Sequence, residues 1–337
     1  MKVPDTTALP RGPRPSAATV AAVLAAVFVD EPKGVEVVER VTSIYESTFG
    51  LEIVTCRFAT GTRRVLLKYG APQHANVSSA DHRGGLVREA AVYDSLLDRL
   101  PVRTPQLFGS VRLADGRACL VLEYLEGAHR LQHSSDLKAY ERAARWLGEF
   151  HATAALELRP ALWPGRLAGG STIPTYDLEY YTSWAARTRE AQAQLCGQNM
   201  WLSELCDRSS DAMAPLVEQP RTLIHGEFYP SNILCHGTDV CPVDWETAAM
   251  APGEIDLAML TSGWIGSARD NLENAYIAAR WPEPACDQVS RLQHVLAAAR
   301  IYECLRWLGD AHEREFKVRI DVLDVLRVAG RAVGVLA

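Results

Sequence analysis

Short runs of β-branched and apolar residues, broken by turn signals, fill the chain between residues 35 and 124. Runs 35–45, 51–59 and 64–69 read as three strands, with turns at Phe49-Gly50 and Thr60-Gly61-Thr62. Over 86–100 the period changes: Val87, Ala90, Ala91, Leu96 and Leu97 form a stripe at helical spacing. Two more strands, 106–113 and 118–124, flank the turn Ala114-Asp115-Gly116. Past Glu126-Gly127 the pattern is mainly helical, over 137–156, 177–195, 201–216 and from 256 onward. A Gly/Pro-rich stretch, 160–174, and a β-like island, 222–243, interrupt it. At the start, 1–16 carries Pro4, Pro10, Pro13 and Pro15 and reads as a loose tail. Val20, Val23, Leu24, Val27 and Phe28 then predict a docked helix over 17–29. This order predicts an α+β chain: tail and helix over 1–34, a small β-rich lobe with one helix over 35–124, and a larger helical lobe over 125–337. A ligand cleft is expected between the lobes.

Composition adds exclusions. The 337 residues are 48% hydrophobic and 23% charged, which excludes a disordered or collagen-like chain. Lys and Arg number 35 against 41 Asp and Glu, a net charge of -6 that argues against a nucleic-acid partner. The eight cysteines form no C-x-x-C pair, so small buried thiols of a reducing compartment are expected. The apolar run 17–29 is shorter than the roughly 20 residues a membrane span needs. Asp30, Glu31 and Pro32 stand where a signal-cleavage site would be. A cytoplasmic protein with no membrane partner is expected, and monomer and dimer both stay open.

The chemistry concentrates in the β island. It reads His225-Gly226-Glu227-Phe228-Tyr229-Pro230-Ser231-Asn232, then Val243-Asp244-Trp245-Glu246. A carboxylate, an Asn five positions on and an Asp on the next strand meet the needs of phosphoryl transfer. Mg²⁺ takes hard oxygen ligands, and the acceptor oxygen must be oriented in line with the γ-phosphate.

This block resembles the aminoglycoside phosphotransferase and choline kinase family, whose signature is H-G-D-x-x-x-x-N followed by an apolar-Asp-x-Glu/Asp strand. Gly253-Glu254-Ile255-Asp256-Leu257-Ala258 is similar to the family's G-x-x-D-L-A segment. Leu122-Glu123-Tyr124-Leu125-Glu126-Gly127 resembles its hinge, and Leu147-Gly148-Glu149-Phe150-His151 its L-x-x-L/F-H helix. The resemblance implies a protein-kinase-like two-lobe fold and an ATP-dependent kinase using Mg²⁺, with GTP left open. The acceptor would be a hydroxyl of an antibiotic-like, aminosugar or natural-product compound, antibiotic resistance being one such role. It further implies Glu227 as the catalytic carboxylate and Asn232 and Asp244 as metal ligands. Lys68 would meet the nucleotide phosphates, Glu89 would hold Lys68, and the backbone of Glu123 and Leu125 would meet the purine. His225 would be a scaffold bonded to backbone, and Asp256 a tether for the catalytic loop. Glu246 would serve either a second metal or the loop. Residues 42–50, with Ser47 and Thr48, stand where a phosphate-covering loop belongs.

Glu227 departs from the family's Asp. One methylene moves a carboxylate by roughly 1–1.5 Å, enough to cost about 10²-fold when it misplaces a catalytic group. Three readings stay open: an acceptor seated farther out, a slow enzyme, or a nucleotide-binding pseudokinase or regulatory protein without transfer. In the enzyme readings the carboxylate is expected to face the cleft. For the acceptor, Asp177, Glu179, Tyr180, Tyr181 and Trp184 form one candidate group, and Glu303, Trp307, Asp310 and Glu313 another. Acidic and aromatic groups together suit a cationic or sugar-bearing acceptor; a solvated helix face around a core Trp is the plain alternative.

Overall fold

The computed structural model describes residues 14–45, 49–70, 83–158, 167, 170–281, 283, 286–310 and 320–337. Helix α1 (Ala17–Val27) is capped by Ser16, whose side chain accepts from the Thr19 N–H. It ends two residues earlier than its apolar run, because Phe28 leaves helical geometry and packs on Phe58 and Phe108.

Five strands form one antiparallel sheet in the order β1-β2-β3-β5-β4. They are β1 (Glu36–Thr42), β2 (Gly50–Phe58), β3 (Gly61–Gly70), β4 (Leu107–Arg112) and β5 (Ala118–Glu123). Side chains alternate across a strand, so each has two faces. Val54, Cys56, Val65, Leu67, Cys119 and Val121 pack under α1 through Val20, Val23 and Leu24. The intervening residues Leu66, Lys68, Leu120 and Leu122 therefore turn to the other face. That period of two puts Lys68 beneath the sheet, toward the helical region. On the α1 face, buried Glu52 is gripped by Arg14 and Arg40, which ties the segment before α1 to the sheet.

Helix α2 (Gly85–Ser95) follows β3 and packs on a short 3₁₀ turn, Trp245–Thr247. The Gly84 N–H donates to the Glu246 carbonyl and the Gly85 N–H to its carboxylate.

Beyond β5 the chain is mainly helical: α3 (Leu137–Glu157), α4 (Leu178–Ala191), α5 (Ala193–Gln198), α6 (Met200–Asp207), α7 (Ser209–Val217), α8 (Glu254–Leu260), α9 (Gly266–Arg280), α10 (Cys286–Gly309) and α11 (Ile320–Ala332). The run 201–216 is two helices, not one, because Arg208 leaves helical geometry (φ −97°, ψ 22°). Gln192 likewise ends α4 and donates to the Leu308 carbonyl. The β island resolves into β7 (Thr222–Ile224), β8 (Ile233–His236) and β9 (Asp239–Pro242). Strand β6 (His129–Arg130) pairs with β8, and β10 (Ala249–Ala251) with β7.

The helices α3 and α9 touch closely at Gly148, where a Cβ would lie 2.6 Å from the Tyr276 carbonyl oxygen. Phe228 of the β7–β8 loop stacks on Trp146, which stacks on Phe150, and Trp245 meets Phe150 edge-on, which fixes the base of the loop. Cys56, Cys119, Cys196, Cys206, Cys235, Cys241 and Cys304 are free and buried. Among the described residues no helix is long and apolar enough to cross a membrane.

Candidate active site

A cavity of about 410 Å³ opens beneath the sheet, lined among others by Leu66, Lys68, Leu122, Glu123, Leu125, Asn232 and Asp244. Sheet register supplies Lys68 and α2 supplies Glu89. The Lys68 Nζ donates to Glu89 Oε2 at 2.6 Å and to Asp244 Oδ1 at 2.7 Å. Burial alone would push the ammonium's pKa down; Asp244, Glu89 and Glu246 reverse this and hold it charged. The lysine thus bridges the sheet, α2 and the strand-end Asp.

Asp244 follows β9 with φ +73°, the one non-glycine at positive φ among the described residues. A left-handed Asp costs roughly 1–2 kcal/mol, and such strain persists where the surroundings over-determine it. Here it aims a partly exposed carboxylate at the cavity. Asn232 ends the 3₁₀ turn Pro230–Asn232, and its side-chain N–H donates to the Glu227 carbonyl at 3.0 Å. That bond leaves the amide oxygen as the group offered to the cavity. One carboxylate and one amide oxygen fit Mg²⁺, which takes few protein ligands and completes its shell with water and phosphate. No group of three or more His, Cys, Asp or Glu side chains at metal-binding geometry exists among the described residues, so phosphate oxygens would share the ion.

The loop between β7 and β8 is anchored from behind. Asp256 accepts from the His225 N–H at 2.7 Å and the Gly226 N–H at 2.9 Å. His225 Nε2 donates to the Val243 carbonyl, which leaves Nδ1 to accept from the Glu227 N–H. Burial lowers the His225 pKa and keeps the ring neutral, as that pattern requires. Gly226 sits at φ +83°, and a Cβ there would lie 2.4 Å from the Thr247 carbonyl oxygen. Only glycine fits.

Glu123 and Leu125 line the cavity at the hinge. The Glu123 carboxylate is turned onto Arg103 in a bidentate pair, so backbone is what this residue can offer a base. Ser43, Tyr45 and Phe49 also line the cavity, while Ser47 and Thr48 lie outside the described residues.

The profile of the phosphotransferase enzyme family (APH) matches residues 54–289, more than half of the chain. The chain belongs to this family. Its fold is that of kinase-like phosphotransferases. A Thermobifida fusca protein assigned as a fructosamine-3-kinase is 19% identical with a TM-score of 0.57, over 95% of this chain and 100% of that one. An aminoglycoside 2″-phosphotransferase of type IIIa, crystallised with GDP and kanamycin, is 16% identical with a TM-score of 0.58, over 93% and 98%. A type I macrolide 2′-phosphotransferase is 18% identical with a TM-score of 0.54, over 96% and 99%. No curated protein sequence matches the chain.

In this phosphotransferase, Glu227 is not among the residues lining the cavity. Its carboxylate lies 3.5 Å from Arg306 Nη2 and 3.7 Å from Arg83 Nη2, just before α2. Arg306, on α10, is 3% exposed and donates to the Gly226 carbonyl and the Tyr229 hydroxyl. Sequence reading missed Arg306, although it sits one residue before Trp307 on a helix face already singled out. It also missed Arg130, which lines the cavity from β6.

The acidic groups counted toward a cationic acceptor are mostly committed elsewhere. Asp177 caps α4. Glu303 and Asp310 are buried, and burial raises the Glu303 pKa to about 7. Tyr181 and Trp184 belong to the core, Tyr180 stacks on Tyr176, and Trp307 donates to the Tyr229 hydroxyl. Glu313 lies outside the described residues. Among the described candidates Glu179 stays exposed, and two guanidinium groups stand beside Glu227.

Proposed function

We propose that this phosphotransferase is an ATP-dependent small-molecule kinase that transfers the γ-phosphoryl group to an acceptor hydroxyl. The observation that carries the reading is Lys68 bridging Glu89 and Asp244 at the wall of the cavity. A cation fixed in this way suits the phosphates, and Asn232 and Asp244 suit a shared Mg²⁺ that offsets charge developing on the transferred group. The hydroxyl oxygen bonds to the γ-phosphorus as the bond to the β–γ bridging oxygen breaks. ADP leaves, and the hydroxyl proton passes to Glu227 or to water. A loose transition state asks more of positioning than of a strong base, so a carboxylate beside Arg306 serves chiefly to orient the acceptor. A similar fold crystallised with GDP keeps GTP as the second candidate donor. The acceptor class favoured is a neutral or weakly charged hydroxyl compound, such as a sugar or natural product, acted on in the cytoplasm.

One observation favours a second reading. Glu227 faces Arg306 and Arg83 and does not line the cavity, as in a nucleotide-binding protein without transfer. Release of ADP from Mg-ATP, measured with a panel of aminosugars, glycated amines, macrolides and choline, separates the two. Acceptor-dependent ADP release, lost in Asp244→Asn, supports the kinase. Nucleotide binding with no acceptor-dependent release across the panel supports the second reading.

A further inference from the structure

Among the described residues, little balances the partly buried guanidinium of Arg130. It lines the same cavity as Lys68, Asn232 and Asp244. Its Nη2 donates one long hydrogen bond, 3.3 Å, to the Tyr45 carbonyl, and its Cζ lies 4.4 Å from the centre of the Tyr45 ring. Among the described residues no carboxylate stands within ion-pair distance of it. A guanidinium has five donors, and burying one without an anionic partner is costly. Burial pushes its pKa down, partly countered by the charge of Asp244.

Its position narrows which ligand anion it can meet. Arg130 pairs across β6 and β8 with Leu234, two residues beyond Asn232. Lys68 reaches the cavity from the sheet, and Arg130 reaches it from the strand pair that carries the metal-ligand candidates. Tyr45 comes from the β1–β2 turn, where the sequence placed a phosphate-covering loop, and it also stacks on His133. The turn and the segment past the hinge therefore meet at Arg130.

We propose that Arg130 is a second phosphate-binding cation of the nucleotide site, complementing Lys68 from the other side of the hinge. This rests on the nucleotide-binding reading above. A planar fork of donors suits two oxygens of a di- or triphosphate.

The test is calorimetric titration of the full chain with Mg-ADP, adenosine and inorganic phosphate, for wild type, Arg130→Met and Arg130→Lys. Arg130→Met weakens Mg-ADP about tenfold, the worth of a charge-assisted contact, and adenosine less than about twofold. Arg130→Lys falls between. The unliganded melting temperature of Arg130→Met is unchanged or raised, since a poorly matched buried charge is gone. Unchanged Mg-ADP affinity overturns the proposal. So does an equal loss for adenosine and Mg-ADP, which makes Arg130 a strut or ribose contact. Inorganic phosphate binding as tightly as Mg-ADP replaces it with a free-anion site. Wild type that binds neither Mg-ADP nor adenosine overturns the nucleotide reading itself, an outcome distinct from an insensitive Arg130.

Discussion

The Arg306 guanidinium lies 3.5 Å from the Glu227 carboxylate and donates to the carbonyl of Gly226, the residue just before it. Helix α10 therefore grips the β7–β8 loop by both backbone and side chain, 80 positions away in sequence. The family's shorter Asp would not extend as far toward Arg306. The extra methylene of Glu227 and the buried arginine form one unit, and the reach of the carboxylate is set by its partner.

Arg306→Met leaves the Gly226 carbonyl, the Tyr229 hydroxyl and the Glu227 carboxylate short of a donor. Removing one member of a buried charged network costs about 3–5 kcal/mol, so the urea midpoint falls clearly. Arg306→Lys keeps the charge without the fork and lies between. A Met variant as stable as wild type would show that the grip contributes nothing.

Glu227→Asp separates the carboxylate from Arg306. If the longer arm is fitted to the acceptor, turnover falls about tenfold or more while Mg-ATP affinity stays within about twofold, because the group acts on the acceptor side. A rise in turnover would instead mark a family member slowed by its Glu. Glu227→Ala lowers turnover further, again without weakening the nucleotide.

Asp244→Asn keeps a residue that tolerates the left-handed backbone and removes the charge. The chain stays folded, Mg-dependent ATP affinity drops, and turnover falls about 100-fold or more, the scale of losing a transition-state charge contact. Chelation of divalent ions by EDTA abolishes turnover in wild type. Undiminished Mg-dependent affinity in the variant would remove Asp244 from the metal site.

Much of this was legible in the sequence because local pattern carries it. Period-two alternation places Lys68 on the face opposite α1, helical spacing places Glu89 on α2, and a strand followed by Asp244 places the carboxylate at a strand end. Arg306 and Arg130 were not legible. Each is a single arginine with no periodic signature, and its role arises from a contact made only when distant segments meet. Strand β6, two residues long, has too little pattern to announce itself. The split between α6 and α7 was hidden because the apolar positions keep helical spacing across the break at Arg208. The motif fixes the residue type and spacing of Glu227 but not its partners, so its approach to Arg306 and Arg83 was not legible.

His151 gives a pH prediction away from the metal-ligand candidates. It is buried on α3, bonded to Asp256 from α8 and to Tyr276 from α9, with the charge of Arg280 nearby. Burial lowers its pKa to about 4 from the ordinary 6.5, outweighing the help from Asp256. The folded-state value is depressed, so the unfolded chain takes up this proton first as pH falls. The stability tied to neutral His151 is complete above pH 6.5 and is lost as pH falls toward 4, about 3 kcal/mol at most. Glu303, with its pKa raised to about 7, works in the opposite sense, because the folded state binds its proton first. Comparing wild type with His151→Gln cancels that contribution. Gln can still donate to Asp256 and cannot titrate. Urea midpoints measured at pH 7, 5.5 and 4.5 should fall less steeply in His151→Gln than in wild type. Parallel slopes would mean that His151 takes no part in acid unfolding and that the Asp256 tether fails for another reason.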